Sequence, residues 1–191
     1  MTARPAFSAF RRALARLRRR ARREDGTASI EFVILFPMFV VILISAVEVG
    51  VLLTRQVMLE RAVDLAVRDL RLGRAAPEGE PITRDRIRDI VCENGPMVGN
   101  CRDNILIELQ PINPGVLAGL AGPVACVERG EAVQPATAMN AGEQNELMLL
   151  RSCALVDPLF PTAGLALNLP RDSTGARALV AQSIFVNEPG G

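Results

Sequence analysis

The chain contains no histidine, tryptophan, tyrosine or lysine. Without histidine, a Ser-His-Asp triad, a Cys-His pair and a His-ligated zinc site are all excluded within it. No CxxC spacing occurs, which argues against a thiolate zinc site. The acids beyond residue 53 show neither paired-carboxylate nor metal-loop spacing and read as a solvated surface. No catalytic residue, metal or cofactor is expected, and the chain reads as something other than an enzyme. The balance of charge is also nearly zero, +1 overall. This hides a segregation: residues 1–26 hold nine arginines against Glu24 and Asp25, a net of +7, leaving −6 for the remainder. A basic arm facing anionic lipid head groups and an acidic body elsewhere fit this pattern.

What the chain does have is one long apolar run. Phe32 to Leu53 spans 22 residues with a single ionisable group, Glu48. At about 1.5 Å per residue that length covers a hydrocarbon core of about 30 Å. A secretory signal peptide is the competing reading, but its apolar region is shorter and is followed by a small-x-small cleavage site. The arginines from Arg11 to Arg23 flank one end of the run and only Arg55 lies close at the other. The positive-inside rule then places the N-terminus in the cytoplasm and everything after Leu53 outside. In the leader, Phe7, Phe10, Leu14 and Leu17 fall at helical spacing among the arginines, as in a basic amphipathic helix lying on a membrane surface. Nucleic acid is the alternative partner for such an arm, but the apolar run already ties it to a membrane, and no nucleic-acid binding is expected.

Pro37 lies about one turn into the run, where it removes a helical hydrogen bond. Beyond it, Leu59, Ala62, Val63, Ala66, Val67 and Leu70 continue one apolar helical face to a stop near Gly73. That face belongs either to the domain's own core or to a partner's. Thr83 caps a further helix whose Ile87, Ile90 and Val91 point inward and which ends near Asn94-Gly95. Strands are expected at Ile105–Leu109, Val124–Arg129, Glu146–Val156 and Ala178–Val186, and loops at Gly115–Gly122, Pro135–Gly142 and Pro161–Gly175. The fold class is α+β: a long N-terminal helix, its first half transmembrane and its second amphipathic, packed on a small antiparallel sheet. The organisation is a basic leader (1–26), the long helix (27–73, with the span at about 32–53) and an exported domain (74–191).

Cys92, Cys101, Cys126 and Cys153 all follow the apolar run, an even count consistent with two disulfides in an exported region. Cys92 and Cys101 close a short turn-rich loop and are the expected pair, leaving Cys126 with Cys153. Sequence alone permits three connectivities, and buried free thiols are the alternative.

At the head of the run stands Gly26-Thr27-Ala28-Ser29-Ile30-Glu31-Phe32, behind the arginine-rich arm. A carboxylate there is costly unless paired. Asp25-Gly26, Ile30-Glu31-Phe32, Pro37 and Glu48-x-Gly50 resemble the N-terminal pattern of TadE-like proteins, minor pseudopilins of the tight-adherence (Tad) pilus assembly system. Arg61-Ala62, Ala66-x-Arg68, Asp157-Pro158-Leu159-x-Pro161 and Val186-Asn187-Glu188-Pro189 are similar to later features of that family. The resemblance implies a long N-terminal helix bearing a small extracytoplasmic sheet domain, and a role in pilus biogenesis. It implies cleavage between Gly26 and Thr27 by a prepilin peptidase, and contacts with other pilin or pseudopilin subunits, the assembly machinery and membrane lipid. The chain would sit in a bacterial inner membrane, single-pass, with its C-terminal domain periplasmic. Glu31, fifth residue of the mature chain, would neutralise the α-amino group of Thr27 on a neighbouring subunit. Pro37 and Glu48 are the candidate positions for helix packing and subunit contact, with snorkelling toward water the other reading of Glu48. Two other classes are an uncleaved, membrane-anchored scaffold of the same apparatus and an envelope enzyme using a cysteine nucleophile.

Overall fold

The computed structural model describes residues 27–77, 80–95, 98–113, 122–162 and 169–188. The leader with Gly26, most of the Gly115–Gly122 loop, residues 163–168 and Pro189 lie outside the described residues. The chain divides into two compact units, Met1–Ile44 and Ser45–Gly191.

Helix α1 runs Thr27–Arg71, 45 residues, and remains helical through Pro37. Its end is set by Gly73 at φ +64°, a left-handed conformation that costs a glycine little. The amide of Arg74 donates to the carbonyl of Asp69 and that of Gly73 to Leu70, so two of the carbonyls left over at the helix end are satisfied by a Schellman turn. Helix α2, Arg84–Asn94, starts where the Thr83 hydroxyl accepts from the Arg86 amide at 3.3 Å. It stops at Gly95, where a Cβ would meet the Val91 carbonyl at 3.0 Å and Ala62 of α1 at 3.4 Å. A short turn of helix, α3 (Cys101–Asn104), leads into strand β1 (Ile105–Pro111). Strands β2 (Leu147–Val156) and β3 (Arg177–Val186) complete a three-stranded antiparallel sheet of order β1-β2-β3. The α+β class expected from the sequence is the one found.

The register explains the burial of each strand. Side chains alternate between sheet faces. Met148, Leu150, Ala154 and Val156 of β2 join Ile105, Ile107 and Leu109 of β1 in the main core. Leu59, Ala62, Val63, Ala66, Val67 and Leu70 of α1 and Ile87, Ile90 and Val91 of α2 fill the same core. The amphipathic stripe of α1 is thus the domain's own core face. The other β2 face, Leu149, Arg151, Cys153 and Leu155, is buried as well, as suits a central strand with a nearly continuous apolar sequence. Edge strand β3 shows the alternation of a half-exposed strand.

One expected strand does not form. Val124–Arg129 is irregular, because Cys126 is bonded to Cys153 of the central strand and Arg129 is drawn into side-chain pairs. The β1 edge is instead met by residues around Met139. The Leu109 amide donates to the Ala138 carbonyl at 3.0 Å and the Asn140 amide to the Leu109 carbonyl at 2.9 Å. Boundaries of the other strands shift by one or two residues.

Candidate functional site

The described part of the first unit, residues 27–44, presents an apolar surface with an acid, Glu31, near its start. From Ile30 to Leu43 the large apolar side chains of α1 other than Val40 are about half exposed or more, Val33 the most at 68%. The helix is long and apolar enough to cross a membrane, with a mean hydropathy of 2.7 over its most apolar stretch and none of that stretch covered by the chain itself. Thr27 is its first described residue. Glu31 is exposed between Ile30 and Ile34, and among the described residues its carboxylate has no hydrogen bond or ion pair. Phe32 stacks on Phe36, one turn on, with ring centroids 4.9 Å apart.

The acid inside the apolar run is treated in the opposite way. Glu48 is 2% exposed. Its carboxylate accepts from the Leu159 amide at 3.0 and 3.3 Å and from the Phe160 amide at 3.1 Å. The local sequence explains why these two amides are available. Pro158 and Pro161 have no N–H, so Leu159 and Phe160 carry the only main-chain donors of the Pro158–Pro161 turn. A buried carboxylate is costly unless hydrogen-bonded, and here two backbone donors supply the bonds. Glu48 therefore meets polar groups of its own chain; neither a neighbouring helix nor snorkelling to water is needed to satisfy it.

Further contacts hold the same turn. Arg55, seven residues along α1, donates to the Asp157 carbonyl at 2.7 Å. Arg129 donates to the Asp157 carboxylate at 2.7 Å and, through Nε, to the Asn104 side chain at 2.8 Å. Gln56 donates to the Val180 carbonyl of β3 at 2.9 Å. A chain of polar contacts thus links α1, the Asp157–Phe160 turn, the irregular Cys126–Arg129 segment and the end of α3. Arg55, Arg129 and Asn104 are functional neighbours that sequence reasoning missed, since nothing local marks an arginine whose partner lies 28 or 102 residues away.

The four cysteines form two disulfides, Cys92–Cys101 and Cys126–Cys153. The first joins α2 to α3; the second fastens residues around Cys126 to the sheet face opposite the core. No free thiol remains, so the cysteine nucleophile weighed from sequence is tied up. Among the described residues there is no cluster of three side chains able to hold a metal ion. Pro37 is placed within α1 with no further feature attached to it.

A family model described as TadE-like protein matches residues 26–68. No curated protein and no solved structure matches the chain.

Proposed function

From this TadE-like segment, which begins at the glycine of the proposed cleavage site, we propose that the chain is a minor pilin or pseudopilin of Tad pilus biogenesis. It is made as a single-pass protein of a bacterial inner membrane, with the basic leader in the cytoplasm and the sheet domain in the periplasm. A prepilin peptidase cuts between Gly26 and Thr27. Glycine suits the residue before the cut because an extended peptide must approach the peptidase backbone closely there. The mature chain then packs its apolar helix against those of other subunits and the assembly machinery.

The observation that carries this reading is the contrast between the two acids. Glu48 is satisfied within its own domain, whereas Glu31 stands exposed in an apolar surface with no hydrogen bond or ion pair among the described residues. An acid in that setting is tolerable when it meets a cation and is hydrogen-bonded to it. The new α-amino group of Thr27 on a neighbouring subunit supplies such a partner.

The test is intact mass and N-terminal sequencing of the protein recovered from membranes of its native host, with and without Gly26→Ala. A chain starting at Thr27, blocked by the substitution, is the expected result. A chain starting at Met1 in both would replace this reading with that of an uncleaved, membrane-anchored scaffold of the same apparatus.

A further inference from the structure

The Asp157–Pro161 turn that clasps Glu48 leaves its apolar side chains uncovered: Leu159 is 47% exposed and Phe160 37%. Their backbone amides are fixed on Glu48, so both residues are held beside the part of α1 that carries it. That part belongs to the apolar run, which extends five residues past Glu48 to Leu53. Val47 and Leu53, on either side of Glu48 in sequence, are themselves exposed, Leu53 at 60%. The sequence from Pro158 to Pro170 contains no charged side chain, in a chain that is 23% charged overall. Arg55, the first cation past the run, is turned onto the Asp157 carbonyl at the same turn.

We propose that Leu159 and Phe160 enter the bilayer leaflet on the side of the folded domain, so that the Asp157–Pro161 turn is a second, non-helical membrane contact beside α1. The inference rests on the reading of α1 as a membrane anchor and adds where the domain meets the lipid. Continuity with the lipid-facing run argues for acyl chains as the occupant: a turn locked to Glu48 goes to whatever depth the last turns of the run take. Backbone polar groups at that depth must be satisfied within the protein. The Glu48 carboxylate does this for both donors of the turn. The exposed Leu and Phe then face the acyl boundary, as the apolar side chains of interfacial segments do.

The absence of tryptophan and tyrosine makes the test direct. Single-tryptophan variants of the full chain, Leu159→Trp, Phe160→Trp, Phe39→Trp and Val133→Trp, are reconstituted at low density in phosphatidylcholine–phosphatidylglycerol vesicles. Lipids brominated near the glycerol end or near the methyl end of the chains serve as depth-selective quenchers, and iodide as the aqueous one. Leu159 and Phe160 give Glu48 only their main-chain N–H, so either substitution leaves the clasp intact and the two variants check each other. Both turn tryptophans are expected to emit blue-shifted and to be quenched most by the shallow-brominated lipid. Phe39→Trp should respond to the deep one and Val133→Trp, in an exposed loop, to iodide alone. Iodide quenching of both turn tryptophans alongside deep quenching of Phe39→Trp overturns the inference and leaves the anchor standing. Loss of lipid quenching at Phe39→Trp overturns both. Shielding of the turn that appears only at high protein density assigns the patch to a second copy of the chain and also overturns it.

Discussion

The carboxylate of Glu48 and the amide of Leu159, 111 residues apart in sequence, lie 3.0 Å apart in a part-buried hydrogen bond. The Phe160 amide shares the same acceptor. Removing the carboxylate strands two donors, and a buried unsatisfied group costs about 1–3 kcal/mol. Glu48→Ala is expected to lower the urea midpoint of the full chain in detergent micelles by that order. Glu48→Gln, which keeps one acceptor oxygen, is expected to lose less. Far-UV circular dichroism follows the transition, and equal midpoints for Glu48→Ala and the parent would show that the clasp adds nothing.

The two disulfides close loops of different length, with sequence separations of 9 and 27. The chain-entropy relation gives about 2.7 kcal/mol for Cys92–Cys101 and about 3.6 kcal/mol for Cys126–Cys153. Paired cysteine-to-alanine variants, compared by urea unfolding, are expected to rank in that order. Cys126–Cys153 should lead by more than the loop difference alone, since it also holds the irregular segment that presents Arg129 to Asp157. The reverse ranking would argue against the entropic account.

The titration of Asp172 is displaced by its neighbours. Partial burial acts to raise its pKa, but the Thr174 hydroxyl, the amides of Ala176 and Thr174 and the charge of Arg129 outweigh it, so the pKa falls below 3.8. The hydroxyl and the two amides lie 2.8, 2.8 and 2.9 Å from Oδ1. Above 3.8 the carboxylate is ionised in both folded and unfolded chains and its stabilisation is complete. As the pH falls below 3.8 the unfolded chain takes up the proton first, and the contribution is lost by the time the folded group is protonated. Chemical unfolding across this window is expected to show Asp172→Asn least stable relative to the parent at neutral pH, with the gap narrowing in acid. A gap independent of pH would sink the assignment.

The helix ends make separate and smaller claims. Thr83→Ala removes the acceptor for the Arg86 amide and is expected to cost about 1 kcal/mol. Gly73→Ala places a Cβ at φ +64° and is expected to cost about 1–2 kcal/mol, although nothing lies within 4 Å of that position. Thermal melts of the two variants and of their combination should show additive losses, because the sites share no partner.

Elements with a local cause are legible in the order of the residues. Continuous hydropathy marks the apolar run, a 3.6-residue stripe marks Leu59 to Leu70, and Thr83 and Gly95 bracket α2. Alternation or unbroken apolarity marks the three strands that form. The short Cys92–Cys101 loop was legible for the same reason. Tertiary structure alone decided what depends on distant partners. Val124–Arg129 has the composition of a strand, but its disulfide and the pull of Asp157 and Asn104 on Arg129 hold it out of the sheet, and residues near Met139 take the β1 edge. Glu48 has the same chemistry as Glu31 and both lie among apolar residues of the same helix, so no local pattern separates them. What separates them is a turn between two prolines, more than a hundred residues on, that the sheet delivers to one carboxylate and not the other. Hydrogen bonds satisfy donors by position in space, and that position is set only once the core has formed.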